Sequence, residues 1–462
     1  MIGVIGIIIS LGLLIFLAYK GWSVIIIAPL LALLAASFAI FSGGSFHLLA
    51  TYTEVFMVSL AGYVKSYFPI FLLGALFGKL MDDSGSANSI AYFISQKVGK
   101  GKEIWAVVLS CAVITYGGVS LFVAVFAIYP IGAAIFREAG IPKRLLPAAI
   151  ALGAFTFTMT ALPGTPQIQN AIPMQFFGTD AFAAPILGVV AACIMLFGGM
   201  FWLTTRSKKA AANGEGYGNH PNENIKPMDT TNMPSIGISI TPIIIVIAVN
   251  YVCSKFVFSR IDGAYLETSY NTTLSAVQGN WSLIIALVAG VLLAIILNLK
   301  RIDDIVDCLK TGVQGSFLAI MNTASEVGYG NVIKTLAGFT IVAGVMLGVS
   351  DNPLVTEAIA SSVLAGITGS ASGGLSIALA TFSDQFIAQA AVYGISPEVL
   401  HRVASVACGG LDTLPHNGAV ITLLGITGMT HKESYINIGM CTVVIPLIAV
   451  IAIIILGTLG VV

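Results

Sequence analysis

Apolar runs of the length that crosses a bilayer, roughly 20 residues, succeed one another along this 462-residue chain. In hydrocarbon every backbone N–H and C=O must be satisfied within the segment or by a closed barrel. A chain of such long runs is therefore expected to be an all-α polytopic membrane protein. Its residues are 57% hydrophobic and only 9% charged, against about a quarter charged in soluble domains. Lys+Arg and Asp+Glu balance at 21 each, so net charge points to no nucleic-acid partner. Six cysteines stand singly, without a CxxC or a metal-ligand spacing, and read as small apolar helix residues. The N-terminus has no basic n-region or cleavage site before its apolar run and reads as a retained first span.

The runs are interrupted in matched pairs. Residues 117–127 read Gly-Gly-Val-Ser-Leu-Phe-Val-Ala-Val-Phe-Ala, and Thr160-Ala161-Leu162-Pro163-Gly164-Thr165-Pro166 follows. Residues 373–380 read Gly-Gly-Leu-Ser-Ile-Ala-Leu-Ala, and Asp412-Thr413-Leu414-Pro415-His416-Asn417-Gly418 follows. The Gly-Gly pairs lie 256 residues apart (373 − 117) and the Leu-Pro pairs 252 apart (414 − 162). A single interruption of this kind serves close helix packing. Two matched pairs point instead to a transporter's binding site, because broken helices at membrane depth line polar cavities.

Spans are expected at 2–18, 22–41 and 55–81, followed by an amphipathic piece with Lys97, Lys100 and Lys102. A hairpin over about 104–136, hinged at Tyr116-Gly117-Gly118, has arms too short for full crossings and reads as re-entrant. A broken span at 145–176 and a span at 183–203 complete an N-terminal repeat, 1–203. The polar stretch 204–235 reads as a solvated cytoplasmic linker. The C-terminal repeat, 236–462, has spans at 236–258, 281–299 and 312–333, and a hairpin over 354–393 with Ser370, Ser372, Gly373 and Gly374 at its tip. A broken span at 399–428 and a last span at 435–460 follow. Gly62 with Gly312 and Gly78 with Gly328, each 250 residues apart, support duplication.

Each repeat then has five crossings and one re-entrant hairpin, and an odd number of crossings inverts the second repeat relative to the first. With both termini outside, fifteen basic residues fall inside, among them Lys97, Arg137, Lys143, Arg144, Lys209 and Lys226. Four fall outside: Lys255, Arg260, Lys334 and Arg402. That bias is the one the positive-inside rule demands.

Ionisable residues inside spans are costly and are functional candidates. Glu326, Asp384 and Asp412 are expected to serve ion coupling, since a desolvated carboxylate can carry a proton; a hydrogen-bonded structural carboxylate is the alternative for each. Lys65 and Lys79 are expected to snorkel, with Asp82 and Asp83 near enough to pair with Lys79. Asp351, Glu357, His401 and Arg402 read as loop or interface residues. No arginine falls at a break in the sequence, so an anionic substrate would be held by helix N-termini, backbone N–H groups and neutral side chains. The candidates are Gly117, Gly118, Ser120, Thr160, Gly164, Thr165, Gln167, Gln169 and Asn170 from the first half. From the second they are Ser372, Gly373, Gly374, Ser376, Thr413, His416 and Asn417. No P-loop, nucleophile elbow, zinc helix or haem-ligand pair occurs, so the chain does not read as an enzyme, and no cofactor is expected beyond a coupling ion, H+ or alternatively Na+.

Together with residues 71–85 (Phe-Leu-Leu-Gly-Ala-Leu-Phe-Gly-Lys-Leu-Met-Asp-Asp-Ser-Gly), these interruptions resemble the gluconate permease (gluconate:proton symporter) family of the ion transporter superfamily. The resemblance covers essentially the whole chain and comes nearer to a D-3-hydroxybutyrate branch. Leu162-Pro163-Gly164-Thr165-Pro166 departs from the His-Pro-rich first break of the sugar-acid permeases. The resemblance implies a dimerising scaffold domain, a transport domain holding the hairpins, and an elevator movement.

The expected function is a secondary active transporter of the bacterial inner membrane, importing a small hydroxylated carboxylate with protons. Its partners would be that substrate, the lipid bilayer and a second copy of itself. Sodium coupling is the nearest alternative; a channel or an integral-membrane enzyme is a different class.

Overall fold

The computed structural model describes residues 2–20, 22–41, 47–99, 101–220, 223, 233–415 and 417–462. Among them every regular element is helical, as apolar runs require when no solvent can satisfy the backbone. The first half comprises α1 (Ile2–Tyr19), α2 (Val24–Phe41), α3 (Leu48–Asp83), α4 (Ser86–Val98), α5 (Glu103–Tyr116) and α6 (Leu121–Glu138), then α7 (Leu146–Ala154), α8 (Phe157–Thr160), α9 (Ile168–Phe177) and α10 (Pro185–Ala212). The second comprises α11 (Ile236–Arg260), α12 (Ala264–Tyr270), α13 (Leu274–Asn298), α14 (Ile305–Thr335), α15 (Phe339–Leu347), α16 (Pro353–Thr368), α17 (Ala371–Val392), α18 (Pro397–Cys408), α19 (Gly418–Thr427) and α20 (His431–Thr458).

Seven of the described helices are long and apolar enough to cross a membrane: α2, α3, α10, α11, α13, α17 and α20. The chain is a multi-pass membrane protein. The expected span at 312–333 lies inside α14, which falls outside that set because it carries Asn322, Thr323, Ser325 and Glu326. Packing explains how this helix is tolerated, since it lies against α2, α3 and α17.

Several element boundaries recur at a spacing of 250 residues. Helices α9 and α19 begin and end 250 apart, α5 and α16 begin 250 apart, and so do α6 and α17. Gly178 and Gly428, the left-handed residues that close α9 and α19, have φ of 64° and 62°, a conformation glycine adopts without steric cost. Helix contacts come in matching sets. Helix α1 packs on α2 as α11 packs on α13; α3 meets α13 as α14 meets α2; α5 meets α7 as α16 meets α18.

Helix pairs stand where the two hairpins are expected; the second broken span is α18 and α19 about a short break, and the first is three pieces, α7, α8 and α9. The Gly-Gly correspondence at 256 does not hold. The second hairpin turns at Gly369–Ser370, while Gly373 and Gly374 sit in the first turn of α17, because the Ser370 hydroxyl accepts from the Gly373 N–H at 3.1 Å and starts the helix earlier. Helix α10 also runs nine residues past 203 (212 − 203), and residues expected to be solvated linker dock on the bundle. Arg144 makes a bidentate pair with Glu215 at 2.6 and 2.8 Å, and Lys143 pairs with Glu223 at 2.8 Å.

Candidate functional site

The two halves interlock beside the interruptions. Helix α9 packs against α17 and α18 of the other half, and α19 packs against α6 and α7. Each hairpin is also tied to its own break. Gln167, the residue before α9, donates its side-chain amide to the carbonyls of Thr115 (2.7 Å) and Val119 (3.3 Å) at the first hairpin tip. Asn417, the residue before α19, donates to the Gly369 carbonyl at the second tip (2.8 Å) and to Asp412 O (2.9 Å), while its oxygen caps Val420 N–H at 3.0 Å.

The first break, residues 161–167, has its backbone satisfied piece by piece. Tyr116 donates to Pro163 O at 2.7 Å, the Gly164 N–H to Ala181 O at 2.8 Å, and Asn170 to Thr165 O and Ala181 O at 3.0 Å each. Gly164 has φ +81°, and a Cβ there would overlap the Phe182 ring. Gly118 has φ +97°, with Pro166 Cγ 2.9 Å from where its Cβ would stand, and a Cβ on Gly117 would meet Ile243 at 2.6 Å. Ser120 lies just before α6. The second break is held alike. Thr413 donates to Thr442 Oγ1 at 2.7 Å, and Tyr435 donates to Thr413 O at 3.1 Å. Thr160 donates its hydroxyl to Thr156 O and Ser376 to Ser372 O, so both are engaged within their own helices. Ser372 lies 3.4 Å from the Ser370 hydroxyl.

Several polar atoms beside the interruptions are buried without a protein partner: Thr115 Oγ1, Gln169 Oε1, Asp412 Oδ1 and Glu326 Oε2. Glu326 of α14 lies directly over the second hairpin, where a Cβ on residue 373 would overlap Oε2. Gly374 serves packing, since a Cβ there would overlap the Ala365 backbone of α16. Asp384 is exposed on α17, thirteen residues from the helix start and so about 20 Å along its axis; the structure does not bring it to the breaks. His416 lies outside the described residues.

Four side chains read as loop or interface residues require correction or confirmation. Asp351 is exposed, as expected. Arg402 and His401 on α18 are wholly buried instead of interfacial. Arg402 sends its donors to Ala183 O (3.1 and 2.7 Å), Ala181 O (3.5 Å), Thr160 O (3.4 Å) and Asn170 Oδ1 (3.0 Å). An arginine does therefore reach the first break, from the opposite half. None of these acceptors is a carboxylate, and the nearby Asp180 is paired with Lys255 at 2.7 Å. His401 Nε2 donates to Asn170 Oδ1 at 3.1 Å and Nδ1 accepts from Thr179 at 2.6 Å, an assignment set by the hydrogen-bond network. Glu357 on α16 is also wholly buried, with neither carboxylate oxygen partnered. Lys65 is exposed, and Lys79 pairs with Asp83 at 2.6 Å.

The arrangement gathers positive potential beside the breaks. The Arg402 cation is unneutralised by direct pairing, α9 and α19 present their N-termini beside the breaks, and neutral amides and hydroxyls line the tips. A separate cleft of about 350 Å³ between α4, α5 and α6, lined by Ser95, Gln96, Glu103 and Glu138, lies at the outer ends of the first hairpin's arms and is not this site. Among the described residues no cluster of three His, Cys, Asp or Glu side chains could hold a metal ion.

A family model described as GntP family permease matches residues 2–459. An uncharacterized transporter of Bacillus subtilis (strain 168), YxjC, is 46% identical over 456 residues, covering 95% of each chain. A gluconate permease of Bacillus licheniformis is 33% identical over 138 residues, 29% of each chain. Two solved structures share the fold at 15% identity. The Alcanivorax borkumensis YdaH transporter has a TM-score of 0.54, with 87% of each chain covered. Neisseria gonorrhoeae MtrF has a TM-score of 0.55, with 89% of this chain and 84% of that one covered.

Proposed function

The chain belongs to the GntP permease family, a family of transporters and not of enzymes, and on that footing we propose that it is a proton symporter importing a small hydroxylated carboxylate. Gluconate, a related sugar acid or 3-hydroxybutyrate is the expected cargo. The observation that carries this reading is the tying of each hairpin tip to its break by one side-chain amide, Gln167 in one half and Asn417 in the other. Together with the cross-packing of α9 and α19, it supports a single central site made from both halves. The gluconate permease relative supports a hydroxy-acid substrate, and the Arg402 cation supports an anionic one.

Glu326 and Asp412 are the coupling carboxyls in this reading, because each places an unpartnered buried oxygen at the breaks. The chain is read as two inverted repeats, 1–203 and 236–462, in the bacterial inner membrane with both termini outside. The matching helix contacts support the repeats, and the basic linker end supports the orientation. Elevator movement within a homodimer is part of the proposal.

The test is uptake of labelled 3-hydroxybutyrate and gluconate into proteoliposomes under an imposed pH gradient and then a sodium gradient. Accumulation with the pH gradient alone is expected. Accumulation only with sodium would replace the proton, and accumulation of neither label under either gradient would remove the assigned substrate class.

A further inference from the structure

Away from the central site, a further acid is buried within the helices. Glu357 is 0% exposed and neither of its carboxylate oxygens has a hydrogen-bond partner. It lies twelve residues before the tip residue Gly369, about 18 Å down α16, well away from Glu326 over Gly373. One turn further along the same face the Ser361 hydroxyl is likewise buried and unpartnered.

Among the described residues, no counter-charge faces it from the elements most closely packed on α16. These are α1, α15, α17, α18 and the 445–458 part of α20. Helices α1 and α15 and residues 445–458 contain no acidic or basic residue, and α17 contains only Asp384, which is exposed. On α18, Glu398 is exposed, while His401 and Arg402 are spent on Asn170, Thr179 and the 181–183 carbonyls. A buried carboxylate with neither counter-ion nor donor is so costly that the group takes up a proton instead. Nor does Glu357 tie two elements together as a polar group, since no protein group bonds to it. A buried polar side chain without a partner calls for another reason to be there.

We propose that Glu357 is a proton-binding site, a carboxyl carried neutral between α16 and its neighbours that releases and regains its proton as the second hairpin moves during transport. The assignment of that proton to coupling rests on the proton-symport reading; the assignment of the proton to Glu357 does not.

The test has two arms on the full-length protein. Purified protein is treated with the apolar carbodiimide dicyclohexylcarbodiimide, which modifies protonated carboxyls in apolar surroundings, and the label is located by peptide mass spectrometry. Label at Glu357 that declines as pH rises is expected, and its absence at every pH overturns the site. In proteoliposomes, Glu357→Gln, which mimics the neutral acid in shape, is expected to lose at least tenfold of pH-driven accumulation while substrate counterflow persists. Unchanged accumulation in that variant overturns the coupling role. If wild-type protein shows no pH-driven uptake, the symport reading fails and the labelling arm alone decides the site. If the variant does not fold, labelling of wild-type protein still decides it.

Discussion

Gln167 and Asn417 stand 250 residues apart and perform the same act, each sending a side-chain amide to the carbonyl of a hairpin tip residue, Val119 and Gly369, which are themselves 250 apart. The two amides hold the hairpins in register with the breaks. Removing a buried donor strands its acceptor, at a cost of about 1–3 kcal/mol. Asn417→Ala loses two donated bonds and the cap on Val420 together. It is expected to depress uptake at least tenfold with normal membrane insertion, and Gln167→Ala to do the same more weakly. Initial uptake rates normalised to the amount of inserted protein check both; wild-type rates in Asn417→Ala would detach the tie from transport.

The contact of Glu326 with residue 373 permits a paired test. A Cβ at 373 would occupy the place of Oε2, so Gly373→Ala must push the carboxylate or α17 aside. It is expected to lower thermal stability in detergent by several degrees, and Glu326→Ala in the same chain is expected to restore most of the loss. Non-additivity of this size is the signature of contacting residues. Glu326→Gln keeps the shape, so it should retain stability while losing pH-driven accumulation.

Arg402 is a buried cation whose partners are backbone carbonyls and one amide oxygen. The fork of guanidinium donors serves segments 160 and 181–183 at once, which a lysine's point charge does not reproduce. Arg402→Met leaves the Ala183 carbonyl without its donor and takes one donor each from Thr160 O, which keeps Ser405, and Ala181 O, which keeps Gly164 and Asn170. Arg402→Lys replaces only some of the lost bonds. Both are expected to lower stability by about 2–5 kcal/mol, read as a fall in melting temperature and in folded yield, with Met the more severe.

The architecture was legible in the chain because hydrocarbon permits so few folds and because interruption residues mark where helices end. Spans, hairpins and both breaks fall close to where the apolar runs and Gly/Pro punctuation put them. The register was less legible. Matching Gly-Gly to Gly-Gly gave 256, since Gly373 and Gly374 look like a hinge, whereas they are small because Glu326 and the Ala365 backbone approach them. The 250 spacing of Gly62 with Gly312 is the one the helix boundaries share. Applied throughout, it sets Arg402 on Leu152 and Glu357 on Val107, both buried apolar positions. Those charged residues therefore belonged in the interior, although their places near the ends of apolar runs suggested an interface. The partners Tyr116, Tyr435 and Asn250, whose amide donates to Gly164 O at 3.4 Å, carry no such signal, because an aromatic or amide in an apolar helix shows its target only once the helix is packed.

The linker offers a pH prediction outside the membrane. Burial pushes the Glu223 carboxyl up, but hydrogen bonds from Lys143, Tyr217 and Tyr129 outweigh it and hold the group at about 2, below its ordinary 4.5. The lengths are 2.8 Å to Lys143, 2.8 Å to Tyr217 and 2.9 Å to Tyr129, and Arg137 also contacts the carboxylate. A folded value below the unfolded one means that the unfolded chain binds the proton more readily, so the stabilisation is fully present above about pH 4.5 and is lost as pH falls toward 2. By linkage it amounts to at most about 3 kcal/mol. Tyr129 lies on α6, and its hydroxyl oxygen also stands 3.5 Å from Thr427 O at the end of α19, so the cluster sits where the first hairpin meets the second broken span. Glu223→Gln is expected to melt several degrees below wild type at pH 7, with the gap narrowing as the pH is lowered from 4.5. Melting curves of both proteins across that range check the sign, and a gap that widened in acid would show that Glu223 is not held as an anion.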